Sequence, residues 1–173
     1  SEGTLRLSGV VKLLKRIFFV TFITELIGAA ILAIRYCPEF GIGSGIELSI
    51  FHSVSAFCNA GFDLITKYNL LNPFSKIVTI ILIILGGLGY FVIIDVLTKK
   101  KFKKLTLHSK IVINTTFTLL VVGTILFMIT DKLSLIDSFF LSTSSRTAGF
   151  SLIDLGTISN AGLLIIMIIL SLY

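Results

Sequence analysis

The chain has 173 residues, 55% hydrophobic and only 14% charged, with a mean hydropathy of +1.04 and a formal net charge of +6. A soluble domain carries about 25% charged residues, so this composition excludes a water-covered enzyme domain. The positive charge does not indicate nucleic acid either: ten of the 15 Lys and Arg lie in segments 6–16 and 99–110, each beside an apolar run, where membrane topology signals sit.

Residues 1–9 lack the apolar core and cleavage site of a signal peptide and read as the middle of a longer protein. A helix is expected from about Ser8, with Arg6, Lys12, Lys15 and Arg16 before an apolar run at 17–34. Pro38 should close it, and Tyr36 suits a membrane interface. A glycine-rich turn follows. Residues 46–57 form a helix too short to span, and 58–63 a turn. Asn72-Pro73 then opens a second long helix over about 73–97, because proline fits the first helical position. Gly86, Gly87 and Gly89 lie inside it; small residues let membrane helices approach closely. Residues 98–110 carry six lysines and mark the cytoplasmic side. A third run spans 111–130, a second short helix 134–145, and a last run 159–173. At 1.5 Å per residue that last run covers about 22 Å, so the helix is expected to be cut short.

The two short segments are copies. Residues 51–65 read FHSVSAFCNAGFDLI and residues 139–153 read FFLSTSSRTAGFSLI. Phe51 aligns with Phe139, Ser55 with Thr143, Ala60-Gly61-Phe62 with Ala148-Gly149-Phe150, and Leu64-Ile65 with Leu152-Ile153. Each copy lies between membrane-length apolar runs, the layout of a pore loop. Non-helical backbone at membrane depth persists only where it is buried in protein or lines a watery cavity, so two such loops imply an aqueous path. The fold class is all-α and membrane-embedded: one helix–pore loop–helix repeat over 8–97 (pore helix and filter about 46–63), a cytoplasmic basic loop over 98–110, and a second repeat over 111–173 (pore loop about 134–151). The N-terminal end is then cytoplasmic and both loops enter from outside.

Backbone carbonyls aimed into a narrow pore replace an ion's hydration shell. This is expected to need an extended strand with all its carbonyls on one side, and hence conformations that glycine adopts cheaply. Asn59, Ala60, Gly61 and Phe62, and Thr147, Ala148, Gly149 and Phe150, have the size and place of such a filter. The bland alternative is a pair of ordinary interhelical turns in a duplicated membrane protein.

The motifs resemble a known family. Ser55-Ala56-Phe57-Cys58-Asn59-Ala60-Gly61-Phe62-Asp63 is similar to the second pore loop of Trk/Ktr-type bacterial potassium uptake subunits. Ser144-Ser145-Arg146-Thr147-Ala148-Gly149-Phe150 is similar to their third, and Ile84-Leu85-Gly86-Gly87-Leu88-Gly89-Tyr90 to the helix after the second loop. The resemblance implies two repeats of a four-repeat pore, with Gly61 and Gly149 as the signature filter residues. Cys58 departs from the asparagine usual there. The gate expected in the third repeat's last helix would lie beyond Tyr173. The resemblance further implies potassium as the ion, sodium as a possible coupling ion, and no cofactor. It implies a homodimer of the full-length protein in the cell membrane and a cytosolic nucleotide-binding regulatory subunit of the RCK type. The lysine loop faces that partner or anionic lipid.

Arg146 beside the second filter is a buried charge, which is expensive in a membrane and normally paired. It is read as a structural brace, since a cation in the path would repel cations. Glu25, in mid-helix, is open to a functional or a structural reading. Asp63 and Asp154 either concentrate cations at the mouth or are simply solvated. His52 has no second ligand nearby and reads as packed. Cys37 and Cys58 have no metal-site spacing. No nucleophile–base set or nucleotide motif is present, so an enzyme is not expected. Two rival functions are a two-pore-domain-like potassium channel, whose filters would read nearer TVGYG, and a non-conducting membrane scaffold, against which the paired glycines speak.

Overall fold

A computed structural model describes residues 2–62, 64, 72–147 and 158–172, the side chains of 1–9, 147 and 172 excepted. Among the described residues the regular structure is helical, with no strand. Helix α1 spans Glu2–Phe40 and α2 spans Ile42–Phe57. Pro38 lies within the last turn of α1 rather than ending it. An Arg35–Glu39 ion pair at 3.3 Å bridges that turn. The reversal falls instead at Gly41, whose φ of 83° only glycine adopts cheaply. Behind it α2 packs tightly on α1: a Cβ at Gly45 would lie 2.5 Å from Cys37 Cα.

Helix α3 spans Pro73–Leu88. As the sequence indicates, Pro73 takes its first position, and Asn72 Oδ1 accepts from Ser75 N at 2.9 Å. The single helix expected over 73–97 is broken. Gly89 has φ 78°, and α4 (Tyr90–Lys99) leaves at 96° to α3. Three glycines in four residues explain the place of the break, since each weakens the helix by about 1 kcal/mol relative to alanine.

A short 3-10 turn at Phe102–Lys104 leads to α5, Leu107–Thr130. The lysine loop is well structured. Asp95 Oδ2 accepts from Thr106 N (2.8 Å) and Oγ1 (2.9 Å), Asp95 pairs with Lys99 (2.7 Å), and Thr106 caps α5. Helix α6 spans Leu135–Thr147 and α7 spans Asn160–Leu172. Asp131 joins the ends of α5 and α7 by accepting from Ser159 N at 2.7 Å. Burial pushes the Asp131 carboxyl up, but hydrogen bonds from Thr130 and Ser159 outweigh it and hold it below the ordinary range.

By length and composition two helices can cross a membrane, Val10–Phe40 and Leu107–Thr130, and a third if α3 and α4 together make one bent span. Large apolar side chains face outward along them, as in Phe18, Phe19, Phe117 and Ile129. In water this surface would be untenable; against lipid or further protein it needs no explanation. The first repeat packs around Leu32, Tyr36, Ala56, Ile80 and Ile83, the second around Phe127, Leu141 and Ile169. Phe140 of α6 inserts into the first of these clusters. Lys76 of α3 also pairs with Asp137 of α6. The two repeats therefore share a core as well as an ion pair.

Candidate functional site: the first pore loop and its supports

Helix α2 ends at Phe57, and the chain leaves it in a tight, fully hydrogen-bonded turn. Cys58 N donates to Val54 O (2.9 Å), Asn59 N to Ala56 O (3.2 Å) and Ala60 N to Ser55 O (2.9 Å). Asn59 has φ 52° and Gly61 φ 72°. Left-handed backbone is cheap for glycine and tolerated by asparagine, so the residue types fit their conformations. Ala60 and Phe62 are exposed. Ser55 Oγ donates to Phe62 O at 2.7 Å, tying the far end of the loop back to the pore helix. Thus the four residues anticipated as the first filter form one tight turn, clamped at both ends.

Three supports hold this turn. On one side is α1: the Glu25 carboxylate accepts from Cys58 Sγ at 3.5 Å, and its carbonyl accepts from Ser53 Oγ at 2.7 Å. On the other is α3, where Gly86 faces the Phe57 carbonyl and the Asn59 amide. Behind α2, His52 Nε2 donates to Thr79 Oγ1 at 2.7 Å, and that hydroxyl donates to Ser75 O at 2.8 Å. His52 is also edge-on to Tyr36, with centroids 6.3 Å apart. It is a packed histidine, as the sequence suggests. Among the described residues no group of three or more His, Cys, Asp or Glu could hold a metal. The roles of Glu25 and Gly86 as contacts of the loop were not readable from sequence. A mid-helix carboxylate and a glycine run were visible, but not what they meet.

In the second repeat α6 carries Arg146 and ends at Thr147; Ala148, Gly149 and Phe150 lie outside the described residues, as do Asp63 and Asp154. Ser142, Thr143, Ser144 and Ser145 are buried, and so is Arg146, at 1% exposure. Ser142 Oγ donates to Leu120 O at 3.1 Å, and Gly123 gives it room on α5. Thr143, the counterpart of Ser55, donates to Phe139 O at 2.7 Å. Asp137 in the first turn of α6 and Arg146 in the last both match the helix macrodipole. A buried arginine at the negative end of a pore helix stabilises that helix while cancelling part of the end's attraction for a cation.

Residues 3–129 match the TrkH family, described as cation transport protein. The chain is 42% identical over 178 residues to the potassium/sodium uptake protein NtpJ of Enterococcus hirae, covering 95% of this chain and 40% of that protein. It is 35% identical to Ktr system potassium uptake protein B of Bacillus subtilis (87% of this chain, 37% of that protein) and 35% identical to that of Vibrio alginolyticus (92% and 39%). The chain thus spans about two fifths of the length of these relatives.

Proposed function

The chain belongs to the TrkH family of cation transport proteins, ion transporters rather than enzymes, and from that premise we propose that it contributes two of four pore loops to a potassium uptake pore. The supporting observation is the paired loop: Asn59-Ala60-Gly61-Phe62 turns through two left-handed residues after a short helix, and Ala148-Gly149-Phe150 repeats Ala60-Gly61-Phe62 in sequence after a second short helix that ends at Thr147. In this reading an ion sheds water against backbone carbonyls of both loops, and the number and field of those dipoles select potassium. The pore helices α2 and α6 end at their filters. Helix α2 directs the negative end of its dipole, equivalent to about half an elementary charge, at the ion, while Arg146 offsets part of that attraction at the end of α6. Arg146 braces the second loop from within the protein. The domains are 8–97, 98–110 and 111–173. The lysine loop and the N-terminal end face the cytoplasm of the cell. The full-length protein is a homodimer with a cytosolic RCK-type nucleotide-binding subunit, and sodium is a candidate coupling ion, in keeping with the name of the Enterococcus relative. Expression of the full-length protein in cells lacking their own potassium uptake tests this. Growth at low potassium and rubidium accumulation are expected; their absence with protein present in the membrane would reject the uptake function.

A further inference from the structure

Gly86 is held closer to the first pore loop than any side chain would allow. A Cβ there would stand 1.8 Å from the Phe57 carbonyl oxygen, 2.9 Å from its carbonyl carbon and 3.1 Å from Asn59 Nδ2. The first two are backbone atoms of the last residue of α2, so no rotamer change relieves the contact. We propose that Gly86 is a positioning residue for ion selection: its bare α-carbon fixes how far the first filter stands from α3. The proposal rests on the filter reading given above.

The displacement is large on the scale that matters. Moving the contact from 1.8 Å to the 3.0 Å that real Cβ atoms observe requires a shift of about 1.2 Å. Functional constellations need their groups held within about 0.5 Å. The shift cannot dissipate locally either. Glu25 grips Ser53 and Cys58 from the opposite side, and Ser55 ties Phe62 to α2. A push on Phe57 therefore passes into Asn59–Gly61, directly and through the Asn59 amide. The competing account is that Gly86 is one more glycine at a helix crossing. Gly45 supplies the comparison: its Cβ would also strike backbone, at 2.5 Å from Cys37 Cα and 2.7 Å from Cys37 N, but in the first turn of α2. That is about 18 Å along the helix from Phe57.

The test uses the full-length protein in proteoliposomes, with the potassium-to-sodium flux ratio as readout and thermal stability measured in parallel. Gly86→Ala should lower the ratio about tenfold or more, since a 1 Å misplacement of functional groups costs on the order of 100-fold. Gly45→Ala should lower stability and leave the ratio unchanged. Gly61→Ser, run alongside, probes the filter itself. A ratio changed by Gly61→Ser but not by Gly86→Ala overturns the role of Gly86 and leaves the filter reading standing. No change in either removes the filter reading and this inference together. An equal change in Gly45→Ala would reduce Gly86 to general packing. Should Gly86→Ala fail to accumulate in the membrane, Ile83→Val decides. Ile83 shares the buried cluster with Ala56 of α2, and trimming one methyl loosens the same helix pair without a clash. A smaller but measurable fall in the ratio supports the proposal, and an unchanged ratio rejects it.

Discussion

The Lys76–Asp137 pair should contribute measurably to the joining of the two repeats. It connects α3 of the first repeat with the first turn of α6, and the side chains are only 19% and 29% exposed. Asp137 also accepts from Ser134 Oγ at 2.7 Å. Asp137→Asn keeps the shape but replaces one of the two accepting oxygens, which serve Lys76 and Ser134, with an NH2 donor, so it removes the charge and one acceptor together. Fully exposed pairs contribute about 0.2–1 kcal/mol, and hydrogen bonds to charged groups about 1.5–3 kcal/mol. For a mostly covered pair the loss should be about 1.5 kcal/mol. That corresponds to roughly 3–6 °C in Tm for a domain of 150–250 residues, and to less in the full-length protein, since this chain covers only 40% of its Enterococcus relative. Acidity supplies an independent check. Burial pushes the Asp137 carboxyl up, but hydrogen bonds from Lys76 and Ser134 outweigh it and hold it below its usual range. The group therefore contributes fully above the unfolded carboxylate value of about 3.9, and the contribution is lost as pH falls through the lower folded value. Thermal scans of detergent-solubilised full-length protein should show wild-type Tm falling toward that of Asp137→Asn on acidification. A Lys76→Met/Asp137→Asn cycle should return a coupling of about 1 kcal/mol. Equal Tm values at neutral pH, or a constant gap down to pH 3, would refute the reasoning.

Gly61→Ser and Gly149→Ser should each weaken potassium-over-sodium discrimination without loss of membrane insertion; unchanged discrimination in both would sink the filter assignment. Arg146→Gln should reduce expression and thermal stability together with transport, because the side chain is buried. Wild-type stability with a large change in cation selectivity would instead indicate a pore-facing charge. With Cys37 and Cys58 replaced by serine, a cysteine at exposed Lys103 should resist a membrane-impermeant thiol reagent applied outside, while one at exposed Ser44 should react; the reverse pattern would invert the topology.

The membrane class and the order of the helices were legible because each rests on local signals: long apolar runs, clustered lysines and Asn72-Pro73. The break at Gly89 was not. Gly86, Gly87 and Gly89 announce a weak helix, yet a weak helix stays straight or bends according to tertiary packing. Pro38 misled in the opposite sense, since a proline in the last turn costs one hydrogen bond and the chain turned only where Gly41 allowed it. At the site, glycine and small neighbours recurring between helices marked residues 59–62 as the expected filter, and the structure has a turn there. The sequence could not reveal that Glu25, 33 positions before Cys58, meets its thiol, nor that Gly86 is opposite Phe57. Such contacts depend on how α1 and α3 are packed around α2.

The central claim is that ions are selected on backbone carbonyls of both loops. Anomalous scattering from rubidium or thallium bound to the full-length protein tests it most directly. The account predicts a dehydrated cation ringed by backbone oxygens from residues 59–62 and 147–150. Heavy-cation density held by side chains elsewhere, with none between these two loops, would contradict it.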